Sequence, residues 1–200
     1  MKIFLVRHGQ SLWQLQPSED WDTTLSPLGH SQARRLAGWC ARHPALDRTS
    51  RFEAGVLRAS PLLRAQQTAG HLASALGLPV RTQPSLAEAA FHVVSELPSA
   101  AAPFAPWPQA PLSERYLAFR KQAGEALTEL ADLAEESAAP VLAVTHGGLI
   151  KTLLRTVLET DVVCFKLYNC GINAIEWKAG RWRIAHVNLW DHLPPELRTT

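Results

Sequence analysis

Met1-Lys2-Ile3-Phe4-Leu5-Val6-Arg7-His8-Gly9-Gln10-Ser11 is the stretch from which the rest of the chain is read. Residues 3–6 are apolar and long enough for one buried strand. The run ends abruptly in a cation, an imidazole and a glycine. In open α/β sheets, ligands bind just beyond the carboxyl ends of strands. Gly9 lets the backbone turn sharply and approach a ligand closely. A neutral imidazole can act as a nucleophile, and Arg7 supplies fixed positive charge. The triplet suits an anion site. On its own it suits a charged, solvated turn equally well.

Two later stretches bear on that choice. Ser60-Pro61-Leu62-Leu63-Arg64-Ala65-Gln66-Gln67-Thr68-Ala69 puts an arginine in the first turn of an expected helix. Unpaired N–H groups at such a place already favour an anion. Val141-Leu142-Ala143-Val144-Thr145-His146-Gly147-Gly148 is a second apolar strand ending in His-Gly. In this order, the three motifs resemble the histidine phosphatase superfamily, also called the phosphoglycerate mutase-like family. The resemblance covers nearly the whole chain. Leu25-Ser26-Pro27-Leu28-Gly29-His30-Ser31-Gln32-Ala33 looks like the family's Leu-Thr-x-x-Gly-x-x-Gln-Ala scaffold segment, and Asn188-x-x-x-His192-Leu193 like its C-terminal motif.

The chain departs from the family pattern in two places. The family runs Arg-His-Gly-Glu-Thr-x-x-Asn, whereas this chain has Gln10, Ser11 and Gln14. Ser11 keeps a donor for a phosphate oxygen, and Gln14 reaches less directly. The family's acid segment continues from Leu-x-Glu to an aromatic, a Gly and Trp-Glu-Gly. Here Leu86-x-Glu88 and Phe91 are present, but His92-Val93-Val94-Ser95-Glu96 replaces the rest. Glu88 is the candidate acid, with Glu96 in reserve.

Composition excludes several classes. Two hundred residues that are 46% hydrophobic suit one α/β domain. A net charge of +2 is too balanced to argue for nucleic acid or a membrane surface. Cys40, Cys164 and Cys170 are odd in number and irregularly spaced, so no disulfide framework is expected. No Cys-x-x-Cys or His-x-x-x-His pair suggests a metal site. The apolar run before Arg7 is too short for a signal peptide, and a cytoplasmic protein is expected. Oligomeric state is not readable.

Element signals fill in the frame. Ser26 caps an expected helix that begins at Pro27 and runs to about residue 42. Residues 55–59 read as a strand; Ser60 and Pro61 then open a helix that Gly77 ends. Residues 80–82 read as a short strand. Ser113 caps a long helix to about Glu136, with Leu117, Leu127, Leu130 and Leu133 inward. A helix is expected at 149–158 and a hairpin turns near residues 178–181. Between them, residues 98–111 contain five prolines and cannot form a regular helix or a central strand. His146 lies beyond this segment and must return to the first site. A surface excursion or lid at about 92–112 therefore fits better than a linker. The expected fold is a three-layer α/β sandwich over residues 1–200, with a mostly parallel sheet and helices on both faces.

The resemblance implies a mechanism. Arg7, Arg64 and His146 hold a phosphoryl group, helped by Ser11 and by Gly147 at a helix start. Arg58 is a competing cation, but the motif falls on Arg64. His8 attacks phosphorus, and Glu88 protonates the leaving oxygen and later activates water. The partner is a small phosphorylated substrate; no cofactor and no metal is required, since arginines supply the charge. Phosphatase, phosphoglycerate mutase and non-catalytic phospho-ligand binder remain open. Residues 82–114 contain no lysine or arginine, which disfavours a second anion site and hence the mutase. Phe91, Val93, Val94, Phe104 and Trp107 are candidates for an apolar pocket mouth. Trp13 and Trp21 are expected merely to pack, and His30 to lie on the surface.

Overall fold

Residues 3–6 are fully buried, and their side chains alternate between two cores. Strand β1 (Lys2–Arg7) sends Phe4 and Val6 to one face of a sheet, and Ile3 and Leu5 to the other. A strand buried on both faces must be apolar throughout, which is why the run has no polar alternation. The computed structural model describes residues 1–46, 51–109 and 111–200. In it β1 pairs in parallel with β4 (Val141–Thr145) and antiparallel with β5 (Ile172–Lys178). With β2 (Val56–Ala59), β3 (Val80–Thr82) and β6 (Arg181–Leu189), the order is β3-β2-β4-β1-β5-β6. The first four are mutually parallel, and the β5–β6 hairpin adds an antiparallel edge.

Five helices follow the strands. The short α1 (Leu12–Leu15) lies just after the first motif. Helices α2 (Pro27–Cys40) and α3 (Leu63–Leu76) pack on the Phe4 face. Helices α4 (Glu114–Glu136) and α5 (Gly147–Leu158) pack on the Ile3 face. This is the expected three-layer α/β architecture. No helix among the described residues is long and apolar enough to cross a membrane.

Local expectations were met unevenly. Ser26 and Ser113 cap α2 and α4 as their side chains accept from Gly29 N and Tyr116 N. Ser60 is not a cap: α3 begins at Leu63, and the Ser60 hydroxyl turns toward β4 instead. Helix α5 starts at Gly147, two residues early, because His146 is its N-cap. In α4, Leu117 points outward at 46% exposure, and Tyr116, Phe119 and Ala123 fill the core beside Leu127 and Leu130. The hairpin turns at Ala179-Gly180, both with positive φ, as a tight two-residue turn between strands requires. Among its described residues the excursion contains one short 3-10 turn, Val93–Glu96, and no other regular element before α4. Phe104 and Trp107 lie on its exposed part, not against the cleft described below.

The loop that follows β1 is locked to α2 through backbone contact. Gln10 N donates to Gln32 Oε1 at 2.8 Å, Ser26 N donates to Gln10 O at 2.8 Å, and Ser26 Oγ donates to Gln10 Oε1 at 2.8 Å. Gln10, standing where the family has an acid, is thus a buried tie and not a surface charge. A Cβ on Gly9 would lie 2.6 Å from Gly29 O, and one on Gly29 would overlap Gln10 O. Only glycine at both positions allows the crossing. Gly29→Ala should therefore lower stability by about 2 kcal/mol or more, in the range for overpacked sites. Urea unfolding measures this, and a midpoint unchanged from wild type would show that the crossing yields freely.

Candidate active site

The register of β1 against β4 assembles the site. Arg7 lies opposite Thr145, so His8 and His146 are the next residues on neighbouring parallel strands. Their ring centroids are 5.0 Å apart. On the other side of β4, Ala59 pairs with Val144, and Ser60 comes next. Three strands therefore end together at Ser60, His146 and His8, at the carboxyl edge of the parallel sheet.

His8 is clamped through its main chain and only 5% exposed. Its N–H donates to Thr145 O at 2.9 Å, and its carbonyl accepts from Asn169 Nδ2 at 3.0 Å. Gly9 N donates to Thr68 Oγ1 on α3 at 3.1 Å. The His8 ring places Nδ1 2.6 Å from Gly9 O. A carbonyl can only accept, so the proton sits on Nδ1 and Nε2 keeps its lone pair. Burial, then Arg7 and Arg64, hold the imidazole well below its usual pKa of 6.5. Nε2 faces Arg64 Nε at 3.3 Å.

The guanidinium groups are hydrogen-bonded to neutral partners, and Asp22 is the one carboxylate at ion-pair distance from either among the described residues. Arg7 Nη1 donates to Leu167 O at 2.7 Å, and its Nε is buried without a partner. Arg64 Nη1 donates to Trp21 O at 2.7 Å, stacks near the Trp21 ring, and has Asp22 Oδ1 at 3.9 Å. His146 is fully buried; its Nε2 lies 2.7 Å from Ser60 Oγ, and its Nδ1 has no partner. Burial first, then His8 and both arginines, keep its ring neutral. With Ser60 donating to Nε2, Nδ1–H is an unused donor.

Glu88 reaches the same cleft from the segment after β3. Its Oε2 accepts from Gly148 N at 2.8 Å and its Oε1 from Ala89 N at 3.1 Å. A Cβ on Gly148 would collide with this carboxyl. Removal from water raises its pKa, against the pull of those two N–H groups, Arg64 and Arg7. A raised carboxyl pKa is what a proton donor needs. The α5 N-terminus thus holds the acid, where the sequence had suggested it would hold phosphate.

The cleft has a volume of about 550 Å³, and Arg7, His8, Ser11, Arg64, Glu88 and Gly147 border it. His146 stands behind them. Ser11 is buried, and both its N–H and its hydroxyl turn to Gln14 Oε1. Gln14 also borders the cleft, but its amide is engaged by Asn169 and Thr200 O. Glu96 is not part of the site: it pairs with Arg115, whose hydrogen bond lowers its pKa. Arg58 faces the Arg81 register position on β3, and His30 hydrogen-bonds His71; neither borders the cleft. Trp13 and Trp21, expected only to pack, do border it. Sequence reasoning missed Asn169, which carries no motif signal, and Lys151 and Arg155, which repeat at four-residue spacing after Gly147. Among the described residues no group of three or more His, Cys, Asp or Glu side chains could hold a metal.

The model of the histidine phosphatase superfamily, branch 1, matches residues 3–189. The chain belongs to that superfamily. It is 27% identical to a protein named uncharacterized phosphatase PhoE from Bacillus subtilis, over 96% of each chain. It is also 27% identical to a probable phosphoglycerate mutase GpmB from Yersinia pestis, over 91% of this chain and 87% of that one. A phosphoserine phosphatase from Entamoeba histolytica, solved with 3-phosphoglyceric acid, superposes with a TM-score of 0.72. That likeness covers 96% of this chain and 99% of the other at 23% identity, and it is one of fold. Superfamily membership accounts for the order of the three motifs along the chain.

The His8 tautomer is directly observable. Long-range ¹H–¹⁵N spectra at and just below pH 6.5 should show a neutral ring protonated on Nδ1, because its folded pKa is depressed. A ring that gains its second proton at the ordinary histidine value would contradict the geometry.

Proposed function

We propose that this chain is a phosphatase for small phosphate monoesters, working through a phosphohistidine on His8. One observation carries the reading: buried, neutral His8, whose Nε2 accepts from Arg64 Nε, borders a cleft that also holds two under-compensated guanidinium groups and a raised-pKa carboxyl. Arg7 and Arg64 bind the phosphoryl oxygens, and a guanidinium does so with paired donors. Ser11 borders the same pocket, where its hydroxyl would exchange Gln14 for a phosphoryl oxygen, and Gly147 leaves room for Arg7, with His146 behind them.

In the first step His8 Nε2 forms a bond to phosphorus as the bond to the leaving oxygen breaks. The Glu88 proton passes to that oxygen. In the second step Glu88, now ionised, takes a proton from water. The water oxygen bonds to phosphorus, the P–N bond breaks, and inorganic phosphate leaves with Glu88 again protonated. Membership of the superfamily and the relative named a phosphatase support the scheme.

A mutase reading has one specific observation behind it besides the relative named a probable mutase. The segment 82–114 is free of lysine and arginine, yet Lys151 and Arg155 border the cleft from α5. Incubation with 3-phosphoglycerate and a trace of bisphosphoglycerate separates the two. Release of phosphate from a panel of monoesters is expected; phosphoglycerate interconversion with little free phosphate would favour the mutase. The reading of a mere binder is weakened by Glu88, whose carboxyl lies in the cleft.

Two outcomes follow for variants. Brief reaction with labelled ester should trap an acid-labile, base-stable phosphoenzyme in wild type and in His30→Ala, but not in His8→Ala. Label on the His8→Ala protein would move the nucleophile elsewhere. Glu88→Gln should slow alkyl esters by about 10²–10⁴-fold, the usual loss for a general acid, and activated aryl esters far less. Equal slowing of both classes would remove Glu88 from the role of proton donor.

A further inference from the structure

Helix α5 carries more positive charge into the cleft than the phosphoryl chemistry uses. Gly147, Lys151 and Arg155 are four residues apart, so they share one face of the helix. All three border the cleft. Helical side chains lean toward the helix N-terminus, here toward the phosphoryl pocket. At 1.5 Å per residue, Lys151 and Arg155 sit about 6 and about 12 Å along the axis from Gly147. Arg155 is thus too far along to serve the reacting phosphoryl group, which Arg7 and Arg64 already flank.

Arg155 is 2% exposed. Its Nε donates to Val163 O at 2.8 Å, and its buried Nη1 has no hydrogen-bond partner among the described residues. A buried charged donor left unused is costly unless a ligand completes it. Among the described residues, Lys151 has no carboxylate at ion-pair distance. Burial, then Arg7 and Arg155, lower its pKa, with Glu88 acting the other way, and an anion placed beside it would favour its charged form. Asp161, which bonds Tyr116 at 2.6 Å, is already matched by Arg120 at 2.8 Å. Between this end and the phosphoryl pocket, Phe91, Val93, Val94 and Phe165 supply apolar wall.

Charge matching narrows the ligand. Arg7 and Arg64 flank the phosphoryl end of the cleft, with the Glu88 carboxyl there and Asp22 beside Arg64. A phosphate held at that end leaves Lys151 and the buried Arg155 Nη1 without an anion of their own. We infer that Lys151 and Arg155 form a second anion subsite, which receives a carboxylate carried by the leaving group of the ester. The substrate class is a phosphate monoester whose leaving group has an apolar body ending in a carboxylate. The inference rests on the phosphatase reading for what happens at the other end of the ligand, and its test is kept separate from turnover.

Binding is measured by calorimetry on His8→Ala protein, which lacks the nucleophile. The probes are 4-carboxyphenyl phosphate, its methyl ester and 1,4-phenylene bisphosphate. The free acid should bind about tenfold more tightly than the methyl ester, the effect of one added charge-assisted contact of about 1.4 kcal/mol. Lys151→Met, a partly exposed position that folding tolerates better than Arg155→Met, should bring that ratio close to one in the same background. Equal affinities for acid and ester before substitution, or a preference untouched by Lys151→Met, would overturn the subsite. Tighter binding of the bisphosphate than of the acid would overturn the carboxylate assignment. Phosphate release from the methyl ester by the unmodified protein tests the phosphatase reading alone. Its absence beside an intact acid preference would sink that reading and leave the subsite standing.

Discussion

Parallel pairing of β1 with β4 is the constraint on which everything else depends. Opposing Arg7 to Thr145 brings two histidines to one edge of the sheet, although 138 positions separate them in the chain. A slip of one residue would send Phe4 and Val6 to the wrong core and turn the site over. Both strands are buried on both faces, so the close fit of particular side chains in each core, not a polar alternation, resists that slip. Core packing therefore positions the sheet edge that bears His8 and His146. The clamp on the His8 main chain from Thr145 and Asn169 adds to the same restraint.

Burial then sets the chemistry. Taking a charge out of water costs several kcal/mol, so groups in such a place stay neutral or demand a counter-charge. His8 and His146 take the first course, and removal from water is the largest cause of their depressed pKa values. Arg7 and Arg64 cannot shed their protons at ordinary pH, so they take the second. Their protein partners are mostly backbone carbonyls, which satisfy hydrogen-bond geometry without cancelling charge. Their charge is thus largely uncompensated where they border the cleft. Glu88 fits the same logic with opposite sign, since burial favours its protonated form.

Helix α5 serves two ends of the cleft at once. Its first turn fixes Glu88 through Gly148 N, and only a residue without a Cβ leaves space for that carboxyl. Its second and third turns carry Lys151 and Arg155 along the same face. One rigid element therefore fixes the spacing between Glu88 and the far wall. The residues departing from the superfamily pattern are absorbed elsewhere: Gln10 ties the first loop to α2, and Gln14 joins Ser11 to Asn169.

Strand ends, caps and the three motifs were legible in the sequence because they are local. An apolar run that stops at Arg7-His8-Gly9 or at His146-Gly147 declares its own boundary, and Ser26 and Ser113 announce their helices by short-range hydrogen bonding. Glu88 was readable as the candidate acid from Leu86-x-Glu88, with Glu96 in reserve. In three dimensions Arg115 pairs with Glu96, and the α5 N-terminus holds Glu88 at the cleft. Ser60 misled for the same reason: its helix-capping chemistry lost to a partner 86 residues away. The absence of cations from residues 82–114 describes that segment alone, since Lys151 and Arg155 reach the cleft from α5. Sequence proximity says which residues share a segment, and the sheet register and helix packing decide which segments share a wall. Lys151 and Arg155 stand beside Phe91 and Val93 only because α5 packs where β1 and β4 end, a long-range arrangement that no run of neighbouring residues encodes.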